Sequence, residues 1–440
     1  MSFFKIIGIG ILVLIIFALL MRGMAVHDAQ NALNAEIAKI KAKGDPVTAA
    51  DLAGEPILDA ENGAVVYEEI FAQIDTIDKS AQGINPSIYS DIYSPEKNFG
   101  DAQAWKEARK IVQLYEPALS RVDEAISRPK CRFQTNWEDG FNALFPFLAR
   151  ARQLSPVLAV RAVVDSKDGK TDKAINSIKQ AFMLSKSVED GHSFIHQLAR
   201  IGLIRIASSG LRGVAHYSDI SERQARELYD VLSSINLDNA LSTGFKGERA
   251  IFLITLKEYD VFECSRYFED GRLQHASKCL EYVRKPYSIG DEVVYLRELQ
   301  KAIDTSDQPF RKTPPHDDHY YNSLPWYAEF TRTLLPVYGK ATAKRDEAIA
   351  EIYGSQIFLG LLGYKDRFGT YPKTLEELKS KLGWKLREDP FSGNKFIYSR
   401  QGKGFLLYSI GANLRDDGGQ KNDYTSPQNK KDDIAWRMER

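Results

Sequence analysis

The chain opens on an apolar block. Residues 6–21 carry no charge, Lys5 precedes them, and Phe3 and Phe4 lengthen the run on the other side. Together they approach the roughly 20 residues a helix needs to cross a bilayer. From Asp28 to Lys43 the apolar and alanine positions recur at helical spacing until Gly44, Asp45 and Pro46 stop the pattern, which predicts that the span continues into an exposed helix, a stalk. Residues 102–126 place Trp105, Ala108, Ile111, Val112, Tyr115, Leu119, Val122 and Ile126 on one helical stripe, with a kink or break expected just before Pro117. Further helices are predicted over 154–165, 193–214 and 221–234, the last with Ser221 as its N-cap.

The pattern changes near the C-terminus. Residues 341–362 read as a long helix with Ala348, Ile349, Ile352, Tyr353, Ile357 and Leu361 on its buried side, and Gly363 and Gly369 flank its exit. Thr374 and Glu377 have capping-box spacing for a short helix whose Leu375 and Leu378 face the long one. Asp389, Pro390 and Gly393 mark a turn. Two strands over 395–399 and 405–410, joined across Gly402 and Gly404, predict an antiparallel hairpin packed on the long helix. The fold class is therefore mostly α: a membrane helix over residues 1–22, an irregular α-helical domain over 23–335, and an α+β domain over 336–440.

Composition narrows the function. At 440 residues, 43% hydrophobic and 27% charged, the chain suits an anchor plus two folded units rather than a disordered chain or a multi-span membrane protein. Lys plus Arg and Asp plus Glu balance at 59 each, so no global field favours nucleic acid. The apolar run also fits a cleaved signal peptide, with Gly23 and Ala25 as small residues near a cut, although its length favours an uncleaved anchor. Lys5 lies before the span and Arg22, Lys39, Lys41 and Lys43 after it, so charge does not set the orientation. An extracytoplasmic body on the inner membrane is expected from the short N-terminal flank. Cys131, Cys264 and Cys279 lack paired zinc spacing; Cys264 and Cys279 could pair outside the cytoplasm, or all three could be core thiols.

Candidate chemistry is sparse. His192 and His196 stand four apart, which on a helix would aim both imidazoles one way, but Ser193 occupies the place where a zinc protease of the HExxH kind needs its Glu. Pro314, Pro315, His316, Asp317, Asp318 and His319 form a second cluster, read as a solvated loop because adjacent residues chelate one ion poorly. No nucleophile elbow, phosphate loop or kinase set is present, so the expected role is non-enzymatic. A hydrolase with a site assembled from distant residues stays open.

Three stretches resemble known families. Gly169, Ala174, Ile178 and Ala181 within GKTDKAINSIKQAFML resemble the turn and second helix of a tetratricopeptide unit, which implies a helix pair with its loop at 166–171. The block over 102–214, with CRFQTNWEDG at 131–140, looks like the helical middle of a group of bacterial envelope proteins that have no assigned activity. Over residues 345–436 the order of long helix, YKDRFGTYPKTLEEL, DPFSGNKFIYS, FLLYSIGAN and DDIAW resembles the globular domain of the major pseudopilin of type II secretion. Tyr364, Gly369, Tyr371, Pro372, Asp389, Pro390, Gly393, Tyr398, Ser409, Gly411, Asp433 and Trp436 fall in that family's order. The resemblance implies a Ca²⁺ site in the last loop, with the carbonyl of Ile410, the side chain of Asn413 and carboxylates near Asp432 and Asp433. Ca²⁺ takes six to eight oxygens, and Asp416, Asp417 and Asp423 add three more carboxylates; the other reading is an acidic, solvated turn. Asn413 stands where the family usually has Asp, Lys431 where an acid is common, and residues 420–430 are inserted. The resemblance also implies partners among envelope proteins, including secretion or pilus components. The membrane helix lies some three hundred residues before this domain and lacks the pilin Glu, so filament assembly does not follow.

Overall fold

The structure, a computed structural model, describes residues 3–80, 87–93, 101–259, 261, 278–313, 317–420 and 431–439. Among them the chain is mostly helical and ends in a small antiparallel sheet. Helix α1 (Phe3–Ala42) joins the apolar run to the amphipathic stretch without a break. Its first half is bare: the large apolar side chains from Ile7 to Met24 stand in the open, Ile7 at 43% exposure and Leu14 at 68%.

The second half is not the exposed stalk that the spacing predicts. Leu33 and Ile40 are buried against α12 (Lys278–Asp304). Arg22 donates to the Tyr282 carbonyl at 3.0 Å, Arg297 to Glu36 at 2.8 Å, and Lys43 lies 3.8 Å from Asp304. The offset stays at 260 to 261 residues, so the two helices run parallel and in register. The periodicity showed an amphipathic face, and the partner for that face comes from far along the chain, where no local pattern announces it.

The body follows as α2 (Ala49–Ala53), α3 (Gly63–Ser80), α4 (Ser87–Tyr93), α5 (Ala102–Leu119), α6 (Val122–Ser127), α7 (Pro146–Lys167), α8 (Thr171–Ser187), α9 (Phe194–Tyr217), α10 (Glu222–Ser233) and α11 (Ala240–Thr255). Helices α7 and α8 are the expected antiparallel pair, turned at Gly169 with φ +76°. Helix α9 completes a three-helix layer, since a Cβ on Gly210 would lie only 3.0 Å from Ile178 and 3.1 Å from Ala159. The break expected before Pro117 falls after it: Pro117 sits in the last turn of α5, and α6 starts anew at Val122. Ser221 caps α10 as expected, its hydroxyl accepting from the Gln224 N–H while the Gln224 side chain accepts from Ser221.

Past α12 the described chain forms α13 (Asp318–Ser323), α14 (Glu329–Gly339), α15 (Ala341–Phe368), α16 (Leu375–Leu382), β1 (Ile397–Gln401), β2 (Gly404–Ser409) and β3 (Ile434–Met438). The hairpin forms with Gln401 opposite Gly404, and a third strand absent from the sequence reading, β3, pairs antiparallel with β2. Gly369, at φ +73°, ends α15 six residues later than expected, and Gly363 lies inside the helix, where its missing side chain lets α10 approach. Thr374 begins α16 without the capping box: its side chain makes no cap bond, and Glu377 instead accepts from the Tyr364 hydroxyl at 3.3 Å.

Helix α15 is buried on most of its surface because it serves two layers. The sheet packs on one side and α9 and α10 on the other, so one apolar core runs from Ala64 in α3 to Met438 in β3 with no gap at residue 336. A second core gathers Leu33 and Ile40 of α1 with Phe252, Tyr295, Leu299 and Phe330. A close contact joins the sheet to this helix at Gly354, where an added Cβ would fall 2.0 Å from the ring of Trp436, a side chain with no exposure. Gly354→Ala should therefore cost about 1–3 kcal/mol or more by overpacking and loosen β3, seen as a lower urea midpoint and a weaker near-UV signal from Trp436.

Candidate functional site

The turn between β2 and β3 brings together the residues that the sequence singled out. Ile410 lies half-buried at its head. Gly411 has φ +68°, and a Cβ there would sit 2.2 Å from the Asp432 carbonyl oxygen, so only glycine lets the two arms close. The Asn413 N–H then points at the Asp432 carboxylate, 3.2 and 3.1 Å from its two oxygens. The Asn413 side-chain amide donates to Asp417 at 2.8 Å, and its Oδ1 accepts from the Arg415 N–H at 2.8 Å. Asp416 accepts from the Tyr408 hydroxyl at 2.9 Å and the Gly418 N–H at 2.9 Å.

Asp433 sits at the centre and is fully buried. Its Oδ2 accepts from the N–H groups of Asp417 at 3.1 Å and Gly419 at 2.7 Å, while Oδ1 is buried without a partner. Burial pushes its pKa up to about 6; the Gly419 N–H opposes the rise, and the negative charges of Asp417 and Asp416 add to it. Such an orphaned carboxylate oxygen is what a cation would satisfy. As they stand, no three His, Cys, Asp or Glu side chains among the described residues are arranged to hold a metal ion, and in this turn backbone N–H groups, the Tyr408 hydroxyl and the Asn413 amide engage carboxylate oxygens of Asp416, Asp417, Asp432 and Asp433. Lys431 turns to Gln420 rather than to the carboxylates. Asp423 and residues 421–430 lie outside the described residues.

The histidines both line one cavity, but they join no group of three metal-ligating side chains among the described residues. His192 precedes α9 and Ser193 is its N-cap, so the two imidazoles do not share a helical face. The His196 Nδ1 lies 2.5 Å from the Ser193 hydroxyl, and the ring is buried among Trp137, Phe145 and Phe147. Burial, and then the nearby His192, pushes its pKa down to about 3. Of the second cluster, Pro314, Pro315 and His316 lie outside the described residues; Asp317 caps α13, accepting from the Tyr320 N–H at 3.1 Å.

Sequence reasoning missed a cavity of about 370 Å³ between the α2–α3 connection, residues 131–137 and the α8–α9 turn. Arg132 holds its walls together, donating to the carbonyls of Ala53 at 3.1 Å and Glu55 at 2.8 Å and pairing with Asp190. Asn62 clasps the Arg132 backbone at 2.9 Å on both its N–H and its carbonyl. Gly140, at φ +55°, lets residues 137–142 seat on α11, where a Cβ would meet the Thr255 hydroxyl at 2.3 Å. The motif CRFQTNWEDG is thus a structural clasp whose partners lie far away in sequence, which is why it gave no chemical signal.

No family model, no curated protein and no solved structure matches this chain. Cys131 lines the cavity as a free thiol, while Cys264 and the side chain of Cys279 lie outside the described residues, so their pairing falls outside the structure's account. Burial pushes the Cys131 thiol up to about 12, and the charges of Asp190 and Glu68 add to it. Its alkylation by iodoacetamide at pH 8 should run on the order of a thousandfold slower than that of a free thiol, read by mass spectrometry of the Cys131 peptide; a rate within about tenfold would mean an open, ionised site.

Proposed function

We propose that this chain is a single-pass protein of a bacterial inner membrane, with an extracytoplasmic body that works by binding other envelope proteins rather than by catalysis. The observation that carries the reading is α1. Its first half presents apolar side chains to its surroundings on every side, which lipid satisfies and water does not. A signal sequence passes the same test of length and composition. A cut near Gly23 or Ala25, however, would sever a continuous helix beside the contact between Arg22 and Tyr282. The anchor reading therefore predicts that the intact 49.7 kDa chain stays with membranes through alkaline carbonate extraction, N-terminal residues included. A shorter chain in the soluble fraction would contradict it.

Among the polar groups of the cavity, Arg132, Asp190 and Asn62 are committed to holding loops in place, which favours a structural over a catalytic use of the cavity. The partners we favour are secretion or pilus components. That choice rests on the pseudopilin-like order of long helix, YKDRFGTYPKTLEEL, DPFSGNKFIYS, FLLYSIGAN and DDIAW, and co-purification of the full chain with pseudopilins or their platform protein tests it. Absence of any such complex would remove this choice of partner.

The acidic turn is the proposed cation site. Asp433 would offer its unpartnered Oδ1, with Asp416, Asp417, Asp432, Asn413 and the Ile410 carbonyl as the remaining oxygen donors. Bound Ca²⁺ would neutralise the turn and tie β2 to β3. Because α15 shares its core with the body, the test belongs on the full chain. Excess Ca²⁺ at about 100 times its dissociation constant should stabilise it by roughly 2.7 kcal/mol against chelator, and Asp433→Asn should abolish the gain. Equal melts with and without Ca²⁺ would leave a turn closed by its own hydrogen bonds.

A further inference from the structure

The register between α1 and α12 fixes where the body meets the membrane, and an aromatic cluster lies at that level. Arg22 is the first residue after the apolar run, and its guanidinium stacks on the Tyr282 ring at 3.5 Å from the centroid. Five residues on, about 7.5 Å along the axis at 1.5 Å per residue, is Tyr287. Its ring lies 4.8 Å from that of Trp326, in the turn between α13 and α14. Outside α1, the exposed aromatic side chains among the described residues are Tyr282, Tyr287, Trp326 and Phe368; Tyr287 and Trp326 are in contact, Tyr282 lies five residues before Tyr287 on α12, and Trp326 is at 70% exposure.

Their exposure is not slack. Tyr327 packs on Gly290, where a Cβ would lie 2.8 Å from the ring, and Ala328 is buried. The buried Asp291 carboxylate caps α14, accepting from the N–H groups of Phe330 at 2.9 Å and Thr331 at 3.2 Å. Trp326 is thus held out by a fixed turn. Basic residues accompany it: Arg22, Arg284 and the exposed Lys285, with Glu281 and Glu329 as the neighbouring acids in sequence.

We propose that the N-terminal turns of α12 and the α13–α14 turn form a shelf that rests in the headgroup layer of the bilayer that α1 crosses. Tyr282 seats at the boundary between chains and headgroups, Tyr287 and Trp326 lie among the headgroups, and Lys285 faces lipid phosphates. The headgroup region on each side of a bilayer is roughly 5–8 Å thick, which matches the axial distance from Tyr282 to Tyr287. Tyr and Trp favour that depth because one end of each ring system is apolar and the other polar. The shelf prevents the body from swinging about its anchor.

This inference rests on the anchor reading, and its test separates the two. The full chain and Trp326→Phe are reconstituted into vesicles of phosphatidylcholine and phosphatidylglycerol, and their emission difference isolates Trp326, since Trp105, Trp137, Trp384 and Trp436 are buried. A nitroxide near the headgroup should quench Trp326 about twofold or more, and more than a nitroxide deep in the chains, with aqueous acrylamide having little effect. A chain that floats with the vesicles while acrylamide quenches Trp326 and lipid nitroxides do not would overturn the shelf alone. Failure to float would overturn the anchor and the shelf together.

Discussion

The structure depends on a change of surroundings partway along one helix, from bare apolar surface to a packed partner. The first half of α1 has no protein cover and the second half has a partner, and the switch occurs at Arg22, where the guanidinium meets the Tyr282 carbonyl and ring. Beyond it, Leu33 and Ile40 join the second core, and Glu36 accepts from Arg297. The chain then stops at Gly44, and Asp45 takes over. Its carboxylate pairs with Lys246 at 2.9 Å and with the fully buried Arg249 at 2.5 Å, and Arg249 reaches Gln300 of α12 at 2.6 Å. Burial works against the Asp45 charge, but hydrogen bonds from Lys246 and Arg249 hold its pKa below the usual carboxylate range. Removing one member of such a group leaves a buried charge uncompensated, so α1, α11 and α12 hold together or fail together.

A second shared element, α15, joins the body to the sheet. Small residues on it admit large partners: Gly354 admits Trp436, Gly360 admits Trp384, and Gly363 admits α10. The Trp384 indole N–H donates to the Gln356 carbonyl at 2.9 Å, which ties α16 and its exit to the same helix. The acidic turn is therefore mounted on a rigid support, since β2 and β3, which carry its two arms, pack on α15. A cation there would act on the body through α15.

Local pattern carried much of the fold. The apolar run, the turn at Gly169, the cap at Ser221 and the hairpin at Gly402 all follow from neighbours a few residues apart, and the sequence showed them, whereas the long helix runs past Gly363 to stop at Gly369. What depended on distant partners did not show. The burial of Leu33 requires α12, the placement of CRFQTNWEDG requires Asn62 and Thr255, and β3 forms because β2 offers its free edge. The acidic residues were legible as a group, but the orphaned oxygen of Asp433 was not, because only the folded turn decides which carboxylate loses water. The histidine pair failed for the converse reason: its spacing was helical, but the helix begins after His192.

The central claim is that the N-terminal apolar helix and the body are one unit, locked in register by α1 and α12. Cysteine cross-linking in native membranes tests it most directly, in a chain whose three native cysteines are replaced by serine. Glu36→Cys with Arg297→Cys should be joined by a short bis-maleimide, whereas Glu36→Cys with Asp304→Cys, about 10 Å farther along the helix, should not. No product from the first pair, or equal yields from both, would mean that α1 moves freely of the body and would contradict the account.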